Sequence, residues 1–586
     1  MQYPWWHIPL LTAPMLIALV CIVHVLVSMY AVGGGLILAA ENRRAVKKKE
    51  KPYRDYWKKH ARFFLLLTVV CGGVTGVGVW WTIGLASPLA TETLIRIFVF
   101  GWGMEWVFFV IEIVALFVFY YYWDKLPDSD HVKVGIIYGL AAWISLVLIT
   151  GITAFMLNSR GLFGDWLSDG SFWSAFLNRQ FLPQTIARTG ASLLLATLYI
   201  WLHVTYTDTP DAVRESVVRR MSGWALAGIG LFVLGVAGWF FFLPKSSLLT
   251  LQRAAALNVL LVLGAAILAA MTLLIIVGPL RSPKRVTFPM AAALFLFGLA
   301  AVGTCEFVRE AVRKPFIVDR IVYGNQVTTA GVETTIRNGF LASGVWTRMY
   351  LAQLQEKYPN LAILPPETLT ADPSTVSESG VTPMTNIASA EESGDIVWTQ
   401  YRYQQPRQRQ PLPEPTQAPA PLNQTPAFAP AATVPQPPSQ VAVTSQANTS
   451  SGFTPYSAAR SAEIDSAPRP GSEELLKMEE ADRIETGRVI FMYHCNDCHA
   501  AEWGYSAAAP MLVGKTKGEI AQFVRHLNRP GINMPPWCGN DAEAQLLAEY
   551  LVSIRPEIPQ EDVPEETPIE QPAETPDTSA ESAAVH

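Results

Sequence analysis

Residues 10–308 carry eight apolar runs, at 10–38, 62–86, 94–123, 133–157, 183–207, 221–243, 254–280 and 288–308. A helix needs about 20 apolar residues to cross the hydrocarbon core of a bilayer, and each run is long enough. Within lipid a segment must satisfy its own backbone hydrogen bonds, so these runs predict helices. The first run is too long for the apolar region of a cleavable signal and lacks a cleavage pattern, so it reads as the first span. The predicted fold is all-α, a polytopic membrane bundle of about eight spans.

Orientation follows from Lys and Arg between the spans. The loop "ENRRAVKKKEKPYRDYWKKHAR" holds ten of them, and with Lys125, Lys133, Arg214, Arg219, Arg220, Arg281, Lys284 and Arg285 one side carries 18. The other side carries five: Arg96, Arg160, Arg179, Lys245 and Arg253. The expected location is a bacterial inner membrane, with the N-terminus and everything after the eighth span in the periplasm. Membrane lipid is the expected surroundings, and nothing in the chain suggests nucleic-acid binding.

The most specific motif lies beyond the spans, in "YHCNDCHAAEW". Cys495 and Cys498 at a C-x-x-C spacing can bond the two vinyl groups of one haem, and His499 can then ligate its iron. Two other readings fit the same residues less well. A zinc half-site would need a second ligand pair, and only His526 and Cys538 are near in sequence. A redox dithiol would not need His499 and belongs beside a βαβ pattern, which is not apparent. One helical pattern leads into the motif and another, "NDAEAQLLAEYLVSI", follows it. Between them, Met534 precedes two prolines that stiffen the backbone, so its thioether can be held over the open iron face. A buried core methionine is the alternative. Residues 475–556 resemble a class I cytochrome c domain, with Cys495, Cys498, His499 and Met534 as the matching residues. Cys538 has no role in that pattern and reads as a buried thiol.

Residues 315–405 mix short apolar and polar stretches and predict an extramembrane cap after a membrane domain at 1–314. Residues 406–474 are rich in Pro, Ala and Gln, a linker without a core. It gives the haem domain reach toward donors or a partner. The tail, 557–586, is acidic, Pro-rich and predicted disordered.

Ionisable residues inside spans are costly and mark function. Span one holds His24, span three Glu105 and Glu112, and span eight ends in Glu306, Arg309, Glu310 and Arg313. A buried neutral imidazole can ligate haem iron, and a buried carboxylate can ligate iron, carry protons or pair with Arg313. Hydrogen bonding within the bundle is the plainer alternative. Gly33, Gly34 and Gly35 either let helices approach closely or leave room for a flat macrocycle. His60, His131 and His203 lie near the basic-loop side and read as solvated interface residues, a further haem site being the alternative. His7 and His526 read as surface residues.

Together these residues resemble subunit I of the cytochrome bd family of quinol oxidases. The likeness runs colinearly over most of residues 10–320. It takes in His24 with the glycines and Glu41, then "YRDYWKKHARFF" and "GVTGV", the two glutamates of span three, and "YWDKL". It ends at "REAVRKPF", similar to the family's Glu-x-x-Arg-x-Pro-aromatic signature. The resemblance implies that His24 and Glu310 are axial ligands of two non-covalent haems, of b or d type. It also implies that Glu105 and Glu112 carry protons for oxygen reduction, and that Arg313 steadies haem propionates. Other membrane subunits are implied partners.

The departures bear on electron entry. The family's low-spin haem uses a histidine early in span five, where this chain has "LPQTIARTGASLL"; neither Ala187 nor Gln184 is a good substitute. Its methionine partner is absent from "RAAALNVLLVLG", and Met271 lies too far along. The quinol loop is reduced to "LPKSSLLTLQ". The expected function is therefore a respiratory cytochrome fed through one covalent haem c by a periplasmic cytochrome c or similar donor. Electrons would pass to one or two membrane haems, with oxygen as acceptor. A non-oxidase electron-transfer or anchoring subunit is the alternative.

Overall fold

A computed structural model describes residues 3, 4, 6, 8, 10–361, 472–504, 506–527 and 534–556. Among the described residues, eight helices are long and apolar enough to cross a membrane. They are α1 (Ala13–Lys48), α2 (Lys51–Ala86), α3 (Val99–Tyr121), α4 (Asp128–Phe155), α5 (Phe181–Tyr206), α6 (Asp211–Phe241), α7 (Ala255–Leu280) and α8 (Phe288–Val312). The chain is thus a multi-pass membrane protein. The 36 residues of α1 make a helix about 54 Å long. It therefore runs well past the bilayer into the basic loop, ending at Lys49 in a left-handed turn. A π-helical turn at Leu66–Cys71 divides α2 into an amphipathic first half and a Gly-rich second half.

α5 is the centre of the bundle, with 67% of its apolar window buried against 11% for α2. Small residues let its neighbours approach. A Cβ at Gly33 of α1 would meet the Ser192 carbonyl oxygen at 2.0 Å, and one at Gly35 would meet the Tyr138 ring at 2.3 Å. These glycines let the helices approach closely. The same holds between α5 and α6: a Cβ at Gly190 would lie 2.4 Å from the Gly228 carbonyl oxygen, and one at Gly235 would lie 2.3 Å from the Ala187 nitrogen. The main chains touch at the position where the resemblance places a low-spin haem.

On the basic-loop side, Glu41 is fully buried. It accepts from Arg220 Nε at 2.9 Å and Nη2 at 2.7 Å, from Trp224 Nε1 at 3.0 Å and from the Tyr53 hydroxyl at 2.9 Å. Such a carboxylate is tolerable in the bundle because every lone pair is engaged. It ties α1, α2 and α6 together.

Beyond α8 the chain forms a platform. β1 (Phe316–Val318) pairs antiparallel with β2 (Val322–Tyr323), and Phe316 stacks on Tyr323 at 4.6 Å. The buried Asp319 carboxylate accepts from the Ser159 amide and hydroxyl, both at 2.9 Å, and Arg320 makes two bonds to Asp165. These contacts fix the hairpin to the α4–α5 connection. Helices α9 (Val332–Asn338) and α10 (Val345–Lys357) complete the described part of the cap. The rest of the cap, the linker up to residue 471, the acidic tail and His7 lie outside the described residues, while the last residues of the linker begin a short helix at Ser472–Leu475.

The C-terminal domain has three main helices, α11 (Glu480–His494), α12 (Lys517–Arg525) and α13 (Asp541–Ser553). α11 and α13 cross closely, since a Cβ at Gly487 would meet the Leu546 carbonyl oxygen at 2.1 Å. α12 and α13 each open with a capping box, Thr516 with Glu519 and Asn540 with Glu543. α12 was not evident in the sequence.

Candidate functional site

The C-x-x-C-H motif begins as α11 ends. Main-chain bonds from Cys498 N and His499 N to the Cys495 carbonyl, at 3.0 and 2.9 Å, wind it into one tight turn. His499 Nδ1 lies 2.8 Å from the Ser506 carbonyl oxygen. A carbonyl can only accept, so Nδ1 carries the proton and Nε2 keeps its lone pair. That is the tautomer an iron ligand needs. Burial pushes the Cys495 thiol up to about 12 and raises Cys498 as well. Thiols that resist ionisation make poor redox nucleophiles and poor zinc ligands. Among the described residues no cluster of three or more His, Cys, Asp or Glu could hold a metal ion. The tight turn and the His499 tautomer are compatible with covalent attachment of a haem. Met534 is half-buried just before Pro535 and Pro536, while 528–533 lie outside the described residues. Cys538 is fully buried, its thiol donating to the Pro536 carbonyl.

The turn rests on the platform. A Cβ at Gly324 would stand 3.6 Å from Cys498 Sγ, and Asn325 Nδ2 lies 3.3 Å from His494 Nε2. Lys314 and Glu310, at the end of α8, both act electrostatically on Cys498. The end of α8 thus lies within electrostatic reach of the motif.

That helix end is densely charged. Glu310 Oε2 pairs with Arg313 and, at 3.7 Å, with Arg309, which also holds Glu306 at 2.9 Å. Arg313 Nη1 donates to the Ile317 carbonyl at 2.9 Å, while its buried Nε has no partner. An orphaned guanidinium N–H suits an anionic group such as a haem propionate. Cys21, one helical turn before His24, lies in electrostatic reach of Glu306, Arg309, Glu310 and Arg313. The His24 and Glu310 helices are therefore neighbours here. Arg188 of α5, not among the residues the sequence singles out, lies within electrostatic reach of Arg309 and Glu306 and donates to Thr150 Oγ1 at 3.3 Å. An arginine inside an apolar run was the available signal.

His24 Nδ1 lies 3.1 Å from Thr75 Oγ1, and that hydroxyl donates to the Cys71 carbonyl at 2.7 Å. The Thr75 proton being committed, Nδ1–H donates to its oxygen and Nε2 is left with a free lone pair. The residues fit iron ligation. Across the bundle, Ser145 Oγ donates to Glu105 Oε1 at 3.1 Å and also interacts with Glu112, whose buried Oε1 has no hydrogen-bond partner. The two carboxylates, two turns apart on one face of α3, are linked through one hydroxyl.

The interface histidines differ from expectation. His60 and His131 are fully buried and His203 is half-buried. His131 is held between Asn42 Nδ2 at 3.1 Å and the Phe119 carbonyl at 2.9 Å, a structural role. They face the bundle because a helix turns His60 away from the solvated Lys58 and Lys59.

Residues 13–241 match the family model for cytochrome bd terminal oxidase subunit I. Comparison with curated protein sequences gives no match. Among solved structures, a chain of the bd oxidase from Geobacillus thermodenitrificans is 14% identical, over 59% of this chain and 96% of that one, with a TM-score of 0.45.

Proposed function

We propose that the protein, whose residues 13–241 carry a bd-oxidase subunit I-like domain, is a membrane-bound respiratory cytochrome that takes electrons through a haem c. Cys495 and Cys498 hold that haem, and His499 and Met534 ligate its iron. His24 and Glu310 hold non-covalent haems in the bundle, with Arg313 on a propionate. When bound, these groups supply one-electron transfer and, at the membrane site, oxygen chemistry. The chain's own residues do the rest. The platform at Gly324 receives the attachment turn, Thr75 sets the His24 tautomer, and Glu105, Ser145 and Glu112 hold and pass protons.

The observation that carries this reading is the seat of Cys498 on the platform, its Sγ beside Gly324, within electrostatic reach of Lys314 and Glu310. A tethered electron carrier is useful only where its haem comes near the next acceptor, and the candidate ligand Glu310 is within electrostatic reach of Cys498. The excess of Lys and Arg on the opposite side supports placing the C-terminal domain in the periplasm, with a soluble cytochrome c or similar donor and other membrane subunits as partners.

Pigment analysis of the purified full-length protein tests the proposal. The expected result is one covalent haem, extractable haem in addition, carbon monoxide binding to the extractable haem when reduced, and oxygen uptake fed by ascorbate. Extractable haem without carbon monoxide binding or oxygen uptake favours a relay that passes electrons on, a reading the touching α5 and α6 main chains also suit. Covalent haem alone means an anchor.

A further inference from the structure

The end of α8 carries more charge than the Glu310–Arg313 pair needs. Glu306, Arg309, Glu310 and Arg313 recur at spacings of three and four, so the helix puts all four on one face. Their side chains are only 5–22% exposed. Arg313 already serves Glu310 as counter-ion and is itself anchored on the Ile317 carbonyl. Neutrality does not require a second pair, and an ion pair within a span is costly where apolar side chains could pack. Stability alone therefore does not account for Glu306 and Arg309.

The distances show what the second pair does. Arg309 Nε and Nη2 both meet Glu306 Oε2 at 2.9 Å. The same Nη2 lies 3.7 Å from Glu310 Oε2, within ion-pair range but beyond a hydrogen bond. Glu306 thus grips the guanidinium by two N–H groups and holds it just short of Glu310. Both arginines approach Glu310 at Oε2, which leaves Oε1 as the oxygen for iron.

We propose that Arg309, restrained by Glu306, is a positioning residue that sets how strongly Glu310 donates to iron. It rests on the reading of Glu310 as a haem ligand. An anionic carboxylate favours ferric iron, and a cation on its outer oxygen draws charge back and favours the ferrous state. Arg313 supplies the fixed part of that pull. Arg309 supplies a graded part, because Glu306 competes with Glu310 for the same Nη2.

Spectroelectrochemical titration of the extractable haem in full-length protein tests this, with the haem on Glu310 identified by its change in Glu310→Ala. Arg309→Gln should lower the midpoint, and Glu306→Gln should raise it as the released Arg309 closes on Oε2. Each shift should be on the order of tenfold in the ferrous-to-ferric ratio, about 59 mV for one electron, with haem content unchanged. The double variant decides. Once position 309 is Gln, Glu306→Gln has no guanidinium to release and should move the midpoint much less than in the parent. A direct field from Glu306 would move it equally in both backgrounds, and that result overturns the positioning role. Arg309→Lys keeps the charge but loses the fork, so it should lower the midpoint less than Arg309→Gln. It replaces Arg309→Gln in the cycle if that variant fails to assemble. Haems unaltered in Glu310→Ala would remove the ligand reading and the positioning role together. Additive shifts at a haem that Glu310→Ala does alter would remove the positioning role alone.

Discussion

The Glu543 carboxylate accepts the backbone N–H of Phe340 and that of Leu341, each at 2.8 Å, and so joins the C-terminal domain to the platform. It also accepts the Asn540 N–H at 2.8 Å, closing its own helix cap, and is 1% exposed. Glu543→Ala leaves three N–H groups without this acceptor. At about 1–3 kcal/mol for each buried donor, the expected loss is about 3 kcal/mol or more. Glu543→Gln keeps one oxygen and should lose less. Thermal melting of the full-length protein, with proteolysis of the platform as a second reading, checks this; unchanged melting of the Ala variant would show that the contact holds nothing.

Attachment of haem c is the simplest commitment to check. Cys495→Ala with Cys498→Ala should abolish haem staining on a denaturing gel. Met534→Leu should keep the stain and lower the potential, because a thioether favours reduced iron. A stained band from the double variant would refute covalent attachment, and an unmoved potential would exclude Met534 as a ligand.

The membrane half was legible because lipid leaves few options: eight apolar runs predict eight helices, and eight are present among the described residues. Buried ionisable groups within the runs were also legible by their cost. What failed were contacts set by three-dimensional packing. His60 follows two lysines and so reads as solvated, yet its helix points it inward. Arg188 was overlooked beside Ala187, although its guanidinium lies within electrostatic reach of Glu306 and Arg309. The platform that receives the C-terminal domain has no strong local pattern. Its hairpin is short, and its anchors, Asp319 to Ser159 and Asn325 to His494, span 160 and 169 positions.

The Asn325–His494 contact makes stability depend on pH. Burial pushes His494 down to about 4, from about 6.5 in an unfolded chain. Its neutral Nε2 faces two donors, Asn325 Nδ2 at 3.3 Å and the Cys538 N–H at 3.4 Å. The folded pKa being depressed, the stabilisation is whole above about pH 6.5 and is lost as pH falls toward 4, about 3 kcal/mol in all. Unfolding measured across that window should show the loss in the parent and much less of it in His494→Gln. Parallel profiles would mean that protonating His494 costs nothing.

His24 gives the sharpest test of the membrane core. Its Nε2 is free only because Thr75 Oγ1 holds Nδ1–H, and Thr75 can do so only because its own proton goes to the Cys71 carbonyl. His24→Ala should therefore lose extractable haem while covalent haem remains. Thr75→Val removes the acceptor but not the ligand, and outer partners of this kind are worth about 10–100-fold in affinity. Extractable haem should then be retained less tightly, with an altered spectrum. Glu310→Ala should disturb its site less completely than His24→Ala does its own, since water can replace a carboxylate and Arg309 and Arg313 would remain to hold an anionic propionate. Haem content, extraction rate and spectrum distinguish the three variants. If His24→Ala and the parent yield equal extractable haem, the imidazole is a hydrogen-bonding residue of the bundle, and the ligand of that haem must be sought elsewhere on the helices.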